Sequence, residues 1–322
     1  RYERIEVLKG VGMLAFGPQT IGGVINYITP DPPEDFEGQL ALTAGNRDYV
    51  NARASLGGGG FLVDLVRKQG DGARDTLELQ QTDFNLKYAL DIGDTQALTL
   101  RGTWLSEDSQ VGYSGLTEAE YRNFGPRYGF DQNANFDINR YGVSATHEWS
   151  PSEALALTTS AYGFVFERDW WRQSSTTTDT QCGTAFRDAR LRGERVDFDA
   201  CQSVQGRLRD YDTFGIEPRL RLGWTAFGLP SELNAGVRAH WESQERRQIN
   251  AASATGRTGT LAEDQRRETR GHSGFVSNRF ELGTLAIVPA VRVEHVEYER
   301  RNDLNGSHGA DGITEVIPGL GF

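Results

Sequence analysis

The segment "FGIEPRLRLGW", residues 214–224, is written on two faces. Phe214, Ile216, Leu220, Leu222 and Trp224 fall on one side of an extended chain, with Glu217, Arg219 and Arg221 on the other. Side chains alternate with period two along a strand, whereas a helix would mix the two sets. The same writing returns in "QALTLRGTWL" (96–105), "NRYGVSATHEW" (139–149) and "LNAGVRAHWE" (233–242). Each has apolar and aromatic residues on one face and Arg, Thr, Asn, His or Glu on the other. Alternation alone fits a sandwich strand and a membrane-barrel strand equally well.

Two further features separate those readings. The alternating segments run to about a dozen residues or more, against ~5–6 for an ordinary strand, and aromatics gather near the ends of the apolar faces, as in the girdles of a membrane barrel. The connections also keep a rhythm. Short ones, "GGGG" (57–60), "DIGDT" (91–95), "SPSE" (150–153), "FGLP" (227–230) and "LGT" (282–284), alternate with long polar excursions at 106–136, 168–209 and 244–267. Short turns on one side and long loops on the other are the outer-membrane arrangement. The expected fold is therefore mainly β: a transmembrane antiparallel β-barrel, with roughly a dozen strands in this chain. Arg101, Arg140, Arg219, Arg221, Arg238 and Arg292 then face the lumen. An interior of charged groups cannot be dry, so it is wet or filled by a polar domain. Most of these arginines are expected to pair with acidic neighbours on adjacent strands.

Composition excludes several classes. The 322 residues carry a formal charge of -11, which argues against nucleic acid as a general partner, since phosphate binding needs a basic face. Mean hydropathy is -0.54, and no run approaches the ~18 apolar residues of a membrane helix; a β-barrel, polar on average, is untouched by that test. No nucleophile elbow, P-loop or HExxH is present, and the diglycines at 57–60 precede no lysine or helix, so no enzyme is expected. The five histidines are scattered without ligand spacing, so neither a metal site nor a cofactor is expected. Cys182 and Cys201 lie in one polar excursion. A disulfide closing a surface loop is the preferred reading, with an oxidising compartment as its corollary; two unrelated thiols are the alternative. The chain opens within "RYERIEVLKG" and stops at "EVIPGLGF", which reads as a piece of a longer protein.

The opening "RIEVLKG…FGPQTIGGVINYITP" resembles the end of the plug domain of TonB-dependent outer-membrane receptors. Within that family the likeness is to the ferric-citrate (iron dicitrate) type. It rests on Gly17-Pro18-Gln19, on "YSGLTEAEY" (113–121), on "RDYDTFGIEPRLR" (209–221), and on "RRETRGHSG" leading to "VPAVRVEH", all in the right order. The resemblance implies a barrel of about twenty-two strands when complete, roughly its first half being present, with a plug in the lumen. Residues 1–32 would be the C-terminal part of that α/β plug and 33–322 the N-terminal half of the barrel. "PDPPEDF" (30–36) links them, its prolines enforcing extended chain.

The function so implied is TonB-dependent active uptake of ferric citrate, or a similar anionic ferric chelate, across the outer membrane of a Gram-negative bacterium. The partners would be the chelate, the TonB–ExbB–ExbD complex (through a segment outside this chain) and outer-membrane lipid. The family's ligand-contacting residues fall on Gln19, Arg209 and Arg267, and on Arg168 in "FERDWW". The chemistry agrees: the iron arrives coordinated by its chelator, so the receptor supplies fixed donors, and guanidinium offers planar, bidentate, permanently charged recognition of carboxylate. The plainer reading of Arg209 and Arg267 is solvated loop charge beside Asp210 and Glu268. Rival functions are a receptor for a catecholate or hydroxamate siderophore, and a non-transporting β-module for binding or adhesion.

Overall fold

The computed structural model describes residues 2–17, 22–173, 182–197 and 204–322. Twelve strands form one antiparallel sheet in which every strand pairs with its neighbours in sequence. They are β3 (Glu37–Ala44), β4 (Val50–Gly58), β5 (Phe61–Asp71), β6 (Glu78–Ile92), β7 (Gln96–Gln110) and β8 (Asn135–Ser152). The order continues through β9 (Leu155–Arg172), β10 (Val204–Ala226), β11 (Leu229–Ala251), β12 (Gly259–Leu282), β13 (Leu285–Asn302) and β14 (His308–Gly321). Ahead of them, β1 (Arg4–Leu8) and β2 (Val24–Ile28) form a separate two-stranded sheet around a 3-10 helix, Gly10–Ala15.

The short connections all lie at one end of the sheet. One of them, Phe227-Gly228, has φ of 53° and 79°, the pair of positive angles that a two-residue type I′ hairpin requires. At the other end, α1 (Glu118–Phe124) lies between β7 and β8, and α2 (Thr184–Leu191) between β9 and β10.

One correction concerns length. β10, β11 and β12 have 23, 23 and 24 residues, and Arg168, Arg209 and Arg267 stand inside strands, not in loops or at loop bases. Beyond the apolar band both faces of these strands are polar, so the alternation that marks a strand fades while the hydrogen-bonded ladder continues.

The apolar face is uncovered: Phe214, Val143 and Val237 remain 56%, 69% and 59% exposed. Aromatic residues bound it at two levels. Trp104, Tyr141, Phe214 and Trp241 lie at the upper level and Trp149 and Trp224 near the short turns, with Phe214 and Trp241 stacked at 4.8 Å. Ten residues separate Phe214 from Trp224. At ~3.3 Å per residue and ~45° of tilt that span is about 23 Å high, close to the ~25 Å apolar band of an outer-membrane barrel.

On the polar face the expected adjacent-strand acid is found for Arg221, 3.8 Å from Glu232. Other lumenal arginines are satisfied differently. Arg219 and Arg292 pair along their own strands with Glu217 and Glu294, Arg101 donates to Asn85 at 2.8 Å, and Arg238 to the Tyr162 hydroxyl at 3.0 Å. Arg140 lies over the Phe164 ring at 4.8 Å. Strand residues two apart share a face, about 6.6 Å from one another along the strand, within the reach of a long arginine side chain.

Arg219 and Arg292 also hold the N-terminal segment on this face. They donate to the carbonyls of Ala15 and Leu14, each at 3.1 Å, satisfying the end of the 3-10 helix, where carbonyls lack partners. The approach is close because β14 presents glycine: a Cβ on Gly319 would stand 2.4 Å from Leu14 Cδ1, and one on Gly321 2.5 Å from Val11 Cγ1. Farther along the sheet, Lys87 Nζ donates to the carbonyls of Thr29 and Pro30 at 3.2 and 2.7 Å.

Candidate functional site: an arginine wall on β9–β12

Strand register assembles the site. Arg209 of β10 stands opposite Arg168 of β9 on one side and Arg246 of β11 on the other, and Arg246 faces Gln265 of β12. Two residues toward the long loops, Arg207 continues the face beside Gln248 and Glu263; two residues the other way, Tyr211 lies beside Gln244 and Arg267. Arg207, Arg209 and Tyr211 share parity with Arg219 and Glu217 along β10, so they and the residues paired with them across the strands are on the polar face. Arg209 lies five residues beyond Phe214, above the apolar band.

Like charges directly opposite one another on a sheet are destabilising, so this arrangement needs a counterweight. Arg209 is pinned: it is 5% exposed and donates to the carbonyls of Leu208 at 2.7 Å and Arg247 at 3.1 Å. Burial, then the facing charge of Arg246, push its guanidinium down to about 10, and it stays cationic at neutral pH. Glu263 is the one carboxylate within ion-pair distance of the wall among the described residues. It stands 3.1 Å from Arg246 and 3.9 Å from both Arg207 and Arg209. The Nε atoms of Arg168, Arg207, Arg246 and Arg267 are buried and meet no hydrogen-bond acceptor among the described residues. Buried donors without acceptors are costly, and several aimed into one wall define a surface suited to an anion with many oxygens.

Three residues read from the sequence, Arg168, Arg209 and Arg267, are thus brought together. Their plainer reading fails on geometry: Asp210 and Glu268 face the opposite side, pairing with Arg247 at 3.6 Å and Arg270 at 3.9 Å. Arg207 and Arg246 were missed, although Arg207 has the parity of Arg209 and the β10–β11 hairpin register leads from Arg209 to Arg246. Gln19 lies outside the described residues. Gly17, the last described residue before it, is beside Arg292, in the cross-strand row of Arg219, which is ten residues along β10 from Arg209. Cys182 is disulfide-bonded, and Cys201 lies outside the described residues. Among the described residues no group of three or more His, Cys, Asp or Glu is placed to hold a metal ion.

An up-and-down sheet, apolar outside and charged inside, with hairpin turns at one end and long loops at the other, is an outer-membrane barrel with part of its wall. Residues 83–322 match the family described as "TonB dependent receptor-like, beta-barrel", and the chain belongs to that family. Among curated proteins it is similar to the ferric enterobactin receptor PirA of Pseudomonas aeruginosa, 28% identical over 99 residues, 30% of this chain and 13% of that one. It is also similar to the ferripyoverdine receptor of the same organism, 38% identical over 69 residues, 21% of this chain and 8% of that one. Among solved structures, the ferric citrate transporter FecA in its unliganded form superposes with a TM-score of 0.80 at 20% identity, over 98% of this chain and 46% of that one. BauA, the ferric preacinetobactin receptor of Acinetobacter baumannii, superposes with a TM-score of 0.73 at 13% identity, over 99% of this chain and 50% of that one. The chain therefore spans about half the length of these solved receptors.

Proposed function

We propose that the protein is an outer-membrane receptor of a Gram-negative bacterium that takes up a ferric chelate of small carboxylic acids, ferric citrate first among them, driven by the TonB–ExbB–ExbD complex. Residues 1–32 form the last part of its plug and 33–322 the first half of its barrel. The iron is cargo, held by its chelator, and the protein does no chemistry on it.

The observation that carries this reading is the wall of Arg168, Arg207, Arg209, Arg246 and Arg267 with one carboxylate in ion-pair range. Planar donors fixed on neighbouring strands suit carboxylate oxygens, and their partial burial raises the value of each contact above that of a surface pair. A second reading, a catecholate or pyoverdine-like siderophore, is favoured by the names of the two curated relatives, and such chelates also present anionic oxygens. Titration of the intact receptor with ferric citrate and with a ferric catecholate separates the two. Arg209→Ala or Arg267→Ala is expected to weaken ferric-citrate binding by about 1–3 kcal/mol, the scale of a charged hydrogen bond and its unpaired partner. Binding of ferric citrate that neither substitution changes would remove the arginine wall as its site.

A further inference from the structure

Glu263 is an odd residue to find in an anion site. A permanent carboxylate among arginines competes with the very groups an anionic chelate offers. Its place follows from the regular register: Gln248 faces Glu263, which shares parity with Gln265 and Arg267 along β12 and so lies on the polar face, in the row of Arg207 and diagonal to Arg246. The pairing slips only beyond it, where Ile249 faces Leu261 and Ala262 is an extra residue on β12. The regular wall thus ends at Glu263, beside a bulge of the kind over-represented next to functional sites.

The contacts are those of a loosely held counter-ion. Two of the three separations are 3.9 Å, too long for hydrogen bonds, and at 3.1 Å the Arg246 Nε–H still lacks hydrogen-bond geometry toward Glu263. Compare Glu120, which binds Arg190 in a two-pronged grip at 2.7 and 2.9 Å. Glu263 therefore offsets repulsion among three guanidinium groups without saturating their donors.

We propose that Glu263 is a built-in stand-in for ligand carboxylate: it holds the arginine wall together before binding and is displaced from Arg207, Arg209 and Arg246 when an anionic chelate arrives. The proposal rests on the reading of the wall as the substrate site. Its consequence is selectivity by charge. A chelate must bring enough negative charge to outcompete one carboxylate, so weakly charged chelates are disfavoured against polyanionic ones.

The test is a titration of the intact receptor, wild type, Glu263→Gln and Arg209→Ala, with ferric citrate and with iron-free citrate at fixed ionic strength. Removing the internal competitor is expected to tighten ferric-citrate binding in Glu263→Gln about tenfold, the factor that 1.4 kcal/mol carries, and to tighten binding of iron-free citrate, itself a trianion, alongside it. Ferric-citrate affinity unchanged or weakened in Glu263→Gln, while Arg209→Ala still loses affinity, would overturn the stand-in role and leave the wall as the site. If Arg209→Ala also leaves ferric-citrate affinity unchanged, the underlying assignment of the wall falls, and the stand-in role with it. Circular dichroism of Glu263→Gln checks that the barrel is folded; if it is not, Glu263→Ala takes its place, with ferric-citrate affinity raised toward the tenfold gain supporting the role and unchanged affinity rejecting it.

Discussion

Arg190 of α2 grips Glu120 of α1 with both prongs, Nε to Oε1 at 2.7 Å and Nη2 to Oε2 at 2.9 Å, with the two side chains 4% and 0% exposed. This joins the connection after β7 to the connection after β9. The sequence shows how each half is built. Thr117 and Glu120 form a capping box, the threonine hydroxyl accepting from the Glu120 amide while the glutamate accepts from the Thr117 amide. The same carboxylate then receives Arg190, whose guanidinium also lies 3.7 Å from the Phe130 ring centre. Removing one partner of a buried pair leaves the other uncompensated, at a cost of about 3–5 kcal/mol. Arg190→Ala is expected to release these two connections, seen as faster protease cleavage between 111 and 134 with the barrel strands still protected. Cleavage at the wild-type rate would show that the pair does not hold them.

Asp131, in the connection between β7 and β8, sits in the same layer and accepts from Thr76 at 2.9 Å. Burial pushes its carboxyl above the ordinary range. A carboxyl raised in the folded state binds its proton more readily there than when the loop opens. The layer is therefore expected to tighten as pH falls through Asp131's raised value toward the ordinary carboxylate range, and to show no further change well above it. Amide hydrogen exchange of residues 125–134, corrected for the intrinsic pH dependence, reads this directly. Asp131→Asn should flatten the profile, and an unflattened profile would exclude Asp131 as the group responsible.

The N-terminal segment depends on glycine in β14. A side chain at Gly319 would collide with Leu14 at 2.4 Å and Val11 at 2.9 Å, both in the 3-10 helix whose carbonyls at Leu14 and Ala15 are held by Arg292 and Arg219. Gly319→Leu is expected to lift the 3-10 helix from the wall, accelerating hydrogen exchange over residues 10–16 while β12 and β13 stay protected. Exchange at the wild-type rate would mean that the segment finds other support.

Cys182, two residues before α2, is disulfide-bonded. Cys201 is the only other cysteine in the sequence. Non-reducing peptide mapping is expected to recover the two in one cross-linked peptide, and a free, alkylatable Cys201 would refute the pairing.

The fold was legible because the membrane imposes its own code. Where lipid meets one face and a charged interior the other, as in Phe214–Trp224, the period-two pattern is clean. Above the band the code stops: at Arg209–Tyr211 and Arg246–Gln248 both faces are polar, so strand was read as loop. The same limit governed the site. Arg209 and Arg267 were found through resemblance to a family, and their convergence depends on register. Arg207 and Arg246 carry no motif; only the two-residue Phe227-Gly228 turn, which sets the β10–β11 pairing, brings Arg246 opposite Arg209. Glu263 shares the parity of Arg267 along β12, but no motif ties it to Arg207, Arg209 and Arg246, which it meets only through the β10–β11–β12 register. The i, i+2 pairs Arg219–Glu217 and Arg292–Glu294 could have been read from parity alone.

The account stands on which way β10 faces. Single-cysteine variants at residues 214–222, each carrying an environment-sensitive fluorophore in reconstituted membranes, measure this through quenching by brominated lipid and by an aqueous quencher. Even-numbered positions should respond to the lipid quencher and odd-numbered ones to the aqueous quencher, alternating residue by residue across the band. Uniform access of the aqueous quencher to both sets would contradict a barrel wall with its arginines turned inward.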